Sequence, residues 1–134
     1  FFWRYMKKIQ TPEQYLAIMA MTFENANLDF AHFYKHVFSE LGDYKTSEIL
    51  NTVLEDEIGH VALGVTYLNK WKDDKDLWTY YNECLPYPLT PARGKGKVFV
   101  EHVRQRARMD HDFISKLKSF DDNFFATKRK EWKK

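Results

Sequence analysis

At 134 residues the chain is long enough for one domain with a sizeable core, and residues 1–134 read as a single helical domain. Hydrophobic residues at 44% and charged residues at 30% are ordinary for a globular protein, aromatics at 17% imply a bulky core, and a formal net charge of +2 is too small to argue for nucleic acid. The lone Cys84 excludes an internal disulfide and fits a reducing, cytoplasmic location, and no apolar run approaches the ~20 residues of a membrane span.

The opening Phe1-Phe2-Trp3, without an initial Met, fits the interior of a longer protein. Residues 1–10 mix aromatic and cationic side chains and lead into a helix. Thr11-Pro12-Glu13-Gln14 is a helix start: Thr11 as cap, Pro12 at the first helical position, Gln14 closing a capping box. The helix that follows bears Leu16, Ala17, Met19, Ala20, Met21 and Phe23. Glu24 shares a face with Ala17, Ala20, Met21, Leu28 and Ala31. It reads either as a metal ligand among small apolar neighbours or as an acid at a helix edge paired with a cation. Across residues 25–29 the helical signal weakens. Asn27 tolerates a left-handed conformation and Asp29 can cap a new helix, so a kink or break is expected there. Residues 30–41 are helical again, with Gly42 as stop and Asp43 as cap of the next helix.

That next helix, expected to reach about Trp71, contains Asp56-Glu57-Ile58-Gly59-His60. Glu57 and His60 are three apart and project from one side, with Leu50, Val53, Leu54, Val61 and Gly64. A carboxylate and an imidazole aimed into an apolar face are costly unless partnered. Metal coordination removes that cost, and Glu-x-x-His on a bundle helix is how di-iron carboxylate proteins supply ligands. A solvated Glu–His pair is the plainer alternative. Asp56 could orient a histidine from behind the ligands. Gly59 and Gly64 are poor helix formers and point to close packing.

Lys72-Asp73-Asp74-Lys75 is a polar turn, residues 77–85 a short aromatic helix, and residues 86–91 an irregular stretch holding three prolines. Residues 92–97 have the look of a phosphate loop without its Walker spacing. Residues 98–120 read as one amphipathic helix, Asp121 as the cap of a last short one, and residues 128–134 as a basic, solvated end. His32 and His36 are four apart and could bind a metal. With no third candidate beside them in sequence, they read as surface or supporting residues. His102 and His111 read as exposed, and nothing marks Cys84 as a nucleophile.

Glu24 and the run Asp-Glu-Ile-Gly-His-Val-Ala, Asp56 to Ala62, resemble the ferritin-like di-iron carboxylate superfamily. More narrowly, the chain resembles the C-terminal half of the bacterial family called domain of unknown function 455. Leu28-Asp29 after Glu24, Gly42-Asp43 before the Asp-Glu run, and Ala92-Arg93 after the proline loop add to the likeness. The resemblance implies an all-α, ferritin-like helical bundle, of which this chain would be the C-terminal half with extra C-terminal helices. Such a bundle takes a Glu and a Glu-x-x-His twice. This chain offers one set, Glu24, Glu57 and His60, with Asp56 in support. The implied cofactor is iron, a di-iron pair in the complete protein, with manganese as the alternative. The implied activity is an oxidoreductase activating O₂ or peroxide on an unspecified substrate. The rival from another class is a non-catalytic helical module in which a metal or polar cluster ties helices together. A nucleic-acid binder using Lys95, Lys97 and residues 128–134 lacks a recognition motif. The expected partner is an upstream helical half, in the same protein or a separate chain, that supplies the second ligand set. A homodimer is the fallback. Residues 1–3 and the face of Ala17, Ala20 and Ala31 are expected to need that cover. Neither nucleic acid nor a membrane is an expected partner.

Overall fold

In the computed structural model, which describes residues 2–121, every regular element is helical. A short α1 (Phe2–Met6) leads to α2 (Pro12–Ile18). Thr11 Oγ1 accepts from the Gln14 amide at 3.2 Å, and Gln14 Oε1 accepts from the Gln10 amide at 2.9 Å. The capping box thus closes on Gln10, one residue before the usual reciprocal partner.

α2 does not stop in a coil. It widens into a π-helical segment, Met19–Glu24, and runs on as α3 (Asn25–Glu40). Ile18 (φ −73°, ψ −52°) and Asn25 (φ −62°, ψ −40°) both keep right-handed helical dihedrals, so residues 12–40 form one rod. The break expected at residues 25–29 is absent, and the irregularity lies one turn earlier. Its cause is local. Thr22 Oγ1 donates to the Ala17 carbonyl five residues back at 2.7 Å, and the Tyr81 hydroxyl donates in turn to Thr22 Oγ1 at 2.8 Å. A side-chain hydroxyl that bonds back to the helix competes with the backbone amides and favours a widened turn. Asp29 caps nothing, since it lies inside α3 and is buried.

Gly42 adopts φ +80°, where an L side chain would be strained, and Asp43 Oδ1 accepts from the Thr46 amide at 3.0 Å. This pair turns the chain sharply, and α4 (Tyr44–Trp71) returns along the rod as the second arm of a helical hairpin. Leu54, Ile58, Val61, Val65 and Leu68 recur at four- and three-residue steps and form its buried stripe. They pack with Leu16, Ala17, Ala20, Met21, Leu28 and Ala31. The large side chains among them each contribute about 1.5–3 kcal/mol by leaving water. A Cβ on Gly64 would stand 2.6 Å from Ala20 Cβ, so glycine is what admits the π segment so close to α4. At Gly59 an added Cβ meets nothing within 4 Å. The expectation of close packing therefore holds at Gly64 and fails at Gly59.

The remaining chain packs onto this hairpin. Asp76 caps α5 (Leu77–Cys84), accepting the Thr79 amide at 3.0 Å, and a 3₁₀ turn, Pro91–Gly94, follows the proline-rich stretch. The single helix expected over residues 98–120 is two, α6 (Glu101–Arg106) and α7 (His111–Ser119). Arg108 takes φ +64°, and Asp110 Oδ1 accepts the Phe113 amide at 2.7 Å, so one helix ends and the next is capped within a few residues. Val103, Phe113, Ile114 and Leu117 join Tyr81 in the main core. Ala17, Ala20 and Ala31 are buried in that same core, so the small-residue face is already covered by the chain itself. The helix expected after Asp121 and the basic residues 128–134 lie outside the described residues. No described helix is long and apolar enough to cross a membrane.

Candidate metal centre

The widened turn ends at Glu24, and α4 passes beside it because Gly64 has no side chain. Glu24, Glu57 and His60 each offer one ligand atom, and these atoms lie within 4.8 Å of one another. His60 Nδ1 stands 3.2 Å from Glu57 Oε2 and 3.8 Å from Glu24 Oε1. Asn27, three residues beyond Glu24, donates from Nδ2 to Glu57 Oε1 at 3.0 Å and fixes that carboxylate. The cluster sits at an edge of the hairpin. The Glu57 side chain is 14% exposed, that of Glu24 22% and that of His60 58%. The sequence reading aimed Glu57 and His60 into an apolar face. Instead Glu57 lies between the buried stripe of α4 and an outer one, and His60 belongs to the outer one. Val53, expected on the ligand side, is exposed there too.

The charges explain the chemistry open to this edge. Among the described residues neither carboxylate has a lysine or arginine partner, so the reading of Glu24 as half of an ion pair with such a cation finds no such partner. Burial pushes the Glu24 carboxyl above its ordinary pKa, the charge of Glu57 pushes it further, and His60 opposes both. The contact from His60 to Glu57 needs a proton on Nδ1, and that proton occupies the place where a cation would sit between the three groups. Two carboxylate oxygens and one imidazole nitrogen suit iron(II) or manganese(II) better than a structural zinc, which favours thiolates. Three donors leave several positions of a six-coordinate ion for water or for groups from elsewhere. Asp56 is exposed and is not one of the three.

A second charged cluster escaped the sequence reading. Arg104 and Asp29 are 0% and 1% exposed and meet in a two-pronged pair, Nη1 to Oδ1 at 2.6 Å and Nη2 to Oδ2 at 2.8 Å. The amides of Gly96 and Val100 each donate to the same carboxylate at 2.8 Å. The loop that looks like a phosphate loop therefore does bind an oxyanion, but it is the carboxylate of its own chain. Gly96 is required there, since a Cβ would fall 2.9 Å from Asp29 Cβ. Lys95 Nζ donates to the carbonyls of Lys118, at 2.9 Å, and of Phe120, at the end of α7. Burial raises the Cys84 thiol pKa, which disfavours the thiolate a nucleophile needs. His32 and His36 do have a third neighbour, His102 of α6, whose ring centroid lies 5.3 Å from that of His32.

An all-helical protein with two carboxylates and an imidazole gathered at a hairpin edge is the class that fold and site define. Residues 1–115 match the model of the family described as "Protein of unknown function (DUF455)", and the chain belongs to that family. No curated protein and no solved structure matches the chain.

Proposed function

We propose that this chain supplies one ligand set of a ferritin-like metal centre, and that the completed centre is an oxidoreductase site for O₂ or peroxide. The observation that carries the reading is the convergence of Glu24, Glu57 and His60, with no lysine or arginine among the described residues paired to either acid. Iron is the proposed metal, a di-iron pair when a second ligand set is present, with manganese as the alternative. Bound iron would supply one-electron redox chemistry toward O₂ or peroxide. The chain's residues do the rest. Asn27 holds Glu57 in one orientation. His60 would ligate through Nδ1 as a neutral imidazole with its proton on Nε2, and its exposed ring lets solvent exchange the proton between the two nitrogens. A bound cation would offset the burial and the Glu57 charge that raise the Glu24 carboxyl pKa. Asp56, one turn before His60 on α4, is assigned a supporting role at the open side.

The surface of α4 supports a helical partner for the centre. Ile49, Val53, Asp56, His60, Leu63 and Tyr67 follow one another at steps of four and three residues and are all exposed. A seam with that period is what another helix packs on. The proposed partner is a helical pair bringing a second Glu and Glu-x-x-His, upstream in a longer protein or on a separate chain. A second copy of this chain would serve in its place.

The test is metal content and O₂ uptake. Wild type and His60→Ala are analysed for metals as purified, then loaded anaerobically with Fe(II) and exposed to O₂. The expected result is iron in the wild type, at least about tenfold weaker retention in His60→Ala, and O₂ consumption that needs all three ligands. Equal iron in both proteins removes His60 from the site. Tightly held zinc with no O₂ consumption favours the non-catalytic helical module.

A further inference from the structure

We propose that His32, His36 and His102 form a second metal site, separate from the carboxylate cluster, that takes an imidazole-preferring divalent cation of the zinc type. His32 and His36 are one turn apart on α3, and their ring centroids are 4.7 Å apart. His102 comes from α6, with its centroid 5.3 Å from that of His32. Two imidazoles on one tetrahedral ion, each nitrogen about 2.0–2.1 Å from it, stand with their centroids about 5 Å apart. Both observed spacings therefore already match those of rings that share an ion. The backbone that presents them is fixed. Arg104 follows His102 by two residues, Asp29 precedes His32 by three, and the buried pair between them locks α6 against α3.

The nitrogens of the three rings are not gathered within 4.8 Å as those of the carboxylate cluster are. Turning the rings of His36 and His102, both exposed, about their Cβ–Cγ bonds reorients the nitrogens while leaving the ring centres in place, and that torsion is broad rather than staggered. His32 is the half-buried member of the three, and its ring lies against both of the others. Lys35, the nearby cation, is engaged with Asn51 Oδ1 at 3.2 Å. An all-nitrogen donor set separates this site from the oxygen-rich one: imidazoles suit zinc, nickel and copper, while carboxylates suit manganese and iron.

The experiment is a calorimetric Zn(II) titration at neutral pH of the full chain carrying His60→Ala, which disables the carboxylate cluster. One zinc per chain is expected. Adding His102→Ala or His36→Ala should weaken it at least about tenfold, as loss of a ligand must cost no less than loss of a ligand's support. Adding His111→Ala, on α7, should leave it unchanged. Both tested rings are exposed, so circular dichroism and the melting temperature should be unaffected. Co(II) in place of zinc should give the visible absorption of a tetrahedral ion, lost in the same two variants. Zinc binding that ignores His102→Ala overturns the proposal, and so does a His60→Ala chain that binds no zinc at millimolar concentration.

Discussion

Glu24 and Asp29 lie five residues apart on one helical rod, yet their surroundings are opposites. The Asp29 carboxylate takes two donors from Arg104 and two from backbone amides, all at 2.6–2.8 Å, in a site that water does not reach. Arg104 also donates to the carbonyls of Val100, Asn25 and Gly94, and its guanidinium lies 3.9 Å from the centre of the Phe99 ring. Glu24 and Glu57 share one amide donor and one imidazole between them, face each other, and open onto solvent through His60. The difference teaches how to read buried acids. One that the fold has saturated with donors is a fastener between α3, the 95–100 loop and α6. A pair left short of positive charge at an open edge is where a cation from outside can bind.

The largest effect should come from breaking the fastener. Arg104→Met leaves a buried carboxylate without its cation and should cost about 3–5 kcal/mol, measured by urea denaturation. Asp29→Leu combined with Arg104→Met should recover much of that loss, because no charge is then stranded. His60→Ala should change stability by only roughly 0.5 kcal/mol while emptying the metal centre. A cheap Arg104→Met would erase the distinction between the two clusters.

A smaller effect tests what brings the open cluster together. Gly64→Ala pushes a methyl into Ala20 at the π segment and should cost about 1–3 kcal/mol. It should also weaken Fe(II) binding, because Glu24 is displaced from Glu57. Gly59→Ala, on the same helix in open space, should be neutral or stabilise by up to about 1 kcal/mol. Thermal melts of the two variants give the comparison. Equal melting temperatures would mean that the tight approach of α4 to the π segment does not hold Glu24 in place.

Which of these features the sequence announced follows from the range of the interactions. Glu57 and His60 were legible as a pair because residues three apart on a helix project from one side, whereas Glu24, on another helix, joined them through the family resemblance. Thr11, Gly42 and Asp43 were legible because caps and stops act within a few residues. Asp29 was misread because aspartate most often bonds to its own neighbouring amides, whereas here its partner lies 75 positions away. Asn27 reads as a turn residue in the linear sequence, although its place three residues after Glu24 on a helix puts it within reach of the same cluster. The 98–120 segment kept one apolar rhythm through two helices, since both bury the same side. Only the dihedrals of Arg108 and the cap at Asp110 separate them, and an Asp three residues before Phe113 was the available sign. α4 carries two apolar stripes, one inward and one outward. In the linear sequence they merged, which is why His60 was assigned to the buried side.

The smallest expected effect is also the sharpest on the open cluster. In the metal-free chain the Glu24 carboxyl has a raised pKa, from burial first and the Glu57 charge second, against His60. A carboxyl that is easier to protonate folded than unfolded lends stability that is fully present below its unfolded pKa, about 4.3 for a glutamate. That contribution is lost as pH rises through the raised folded value. At neutral pH the ionised Glu24 therefore weighs against the fold. Glu24→Gln removes the charge while keeping the shape, so the metal-free variant should melt slightly above wild type at neutral pH. The gap should narrow as the pH falls and close once the wild-type carboxyl is protonated in both states. Anaerobic Fe(II) should reverse the order. The wild type gains by mass action, about 2.7 kcal/mol at a hundredfold excess over Kd, and the variant gains far less. Melts across neutral to acid pH, with and without Fe(II), provide the check. A metal-free Glu24→Gln that melts below wild type at neutral pH would mean that the chain itself satisfies this carboxylate, and that the Glu24–Glu57–His60 cluster is a second fastener rather than a site waiting for a cation.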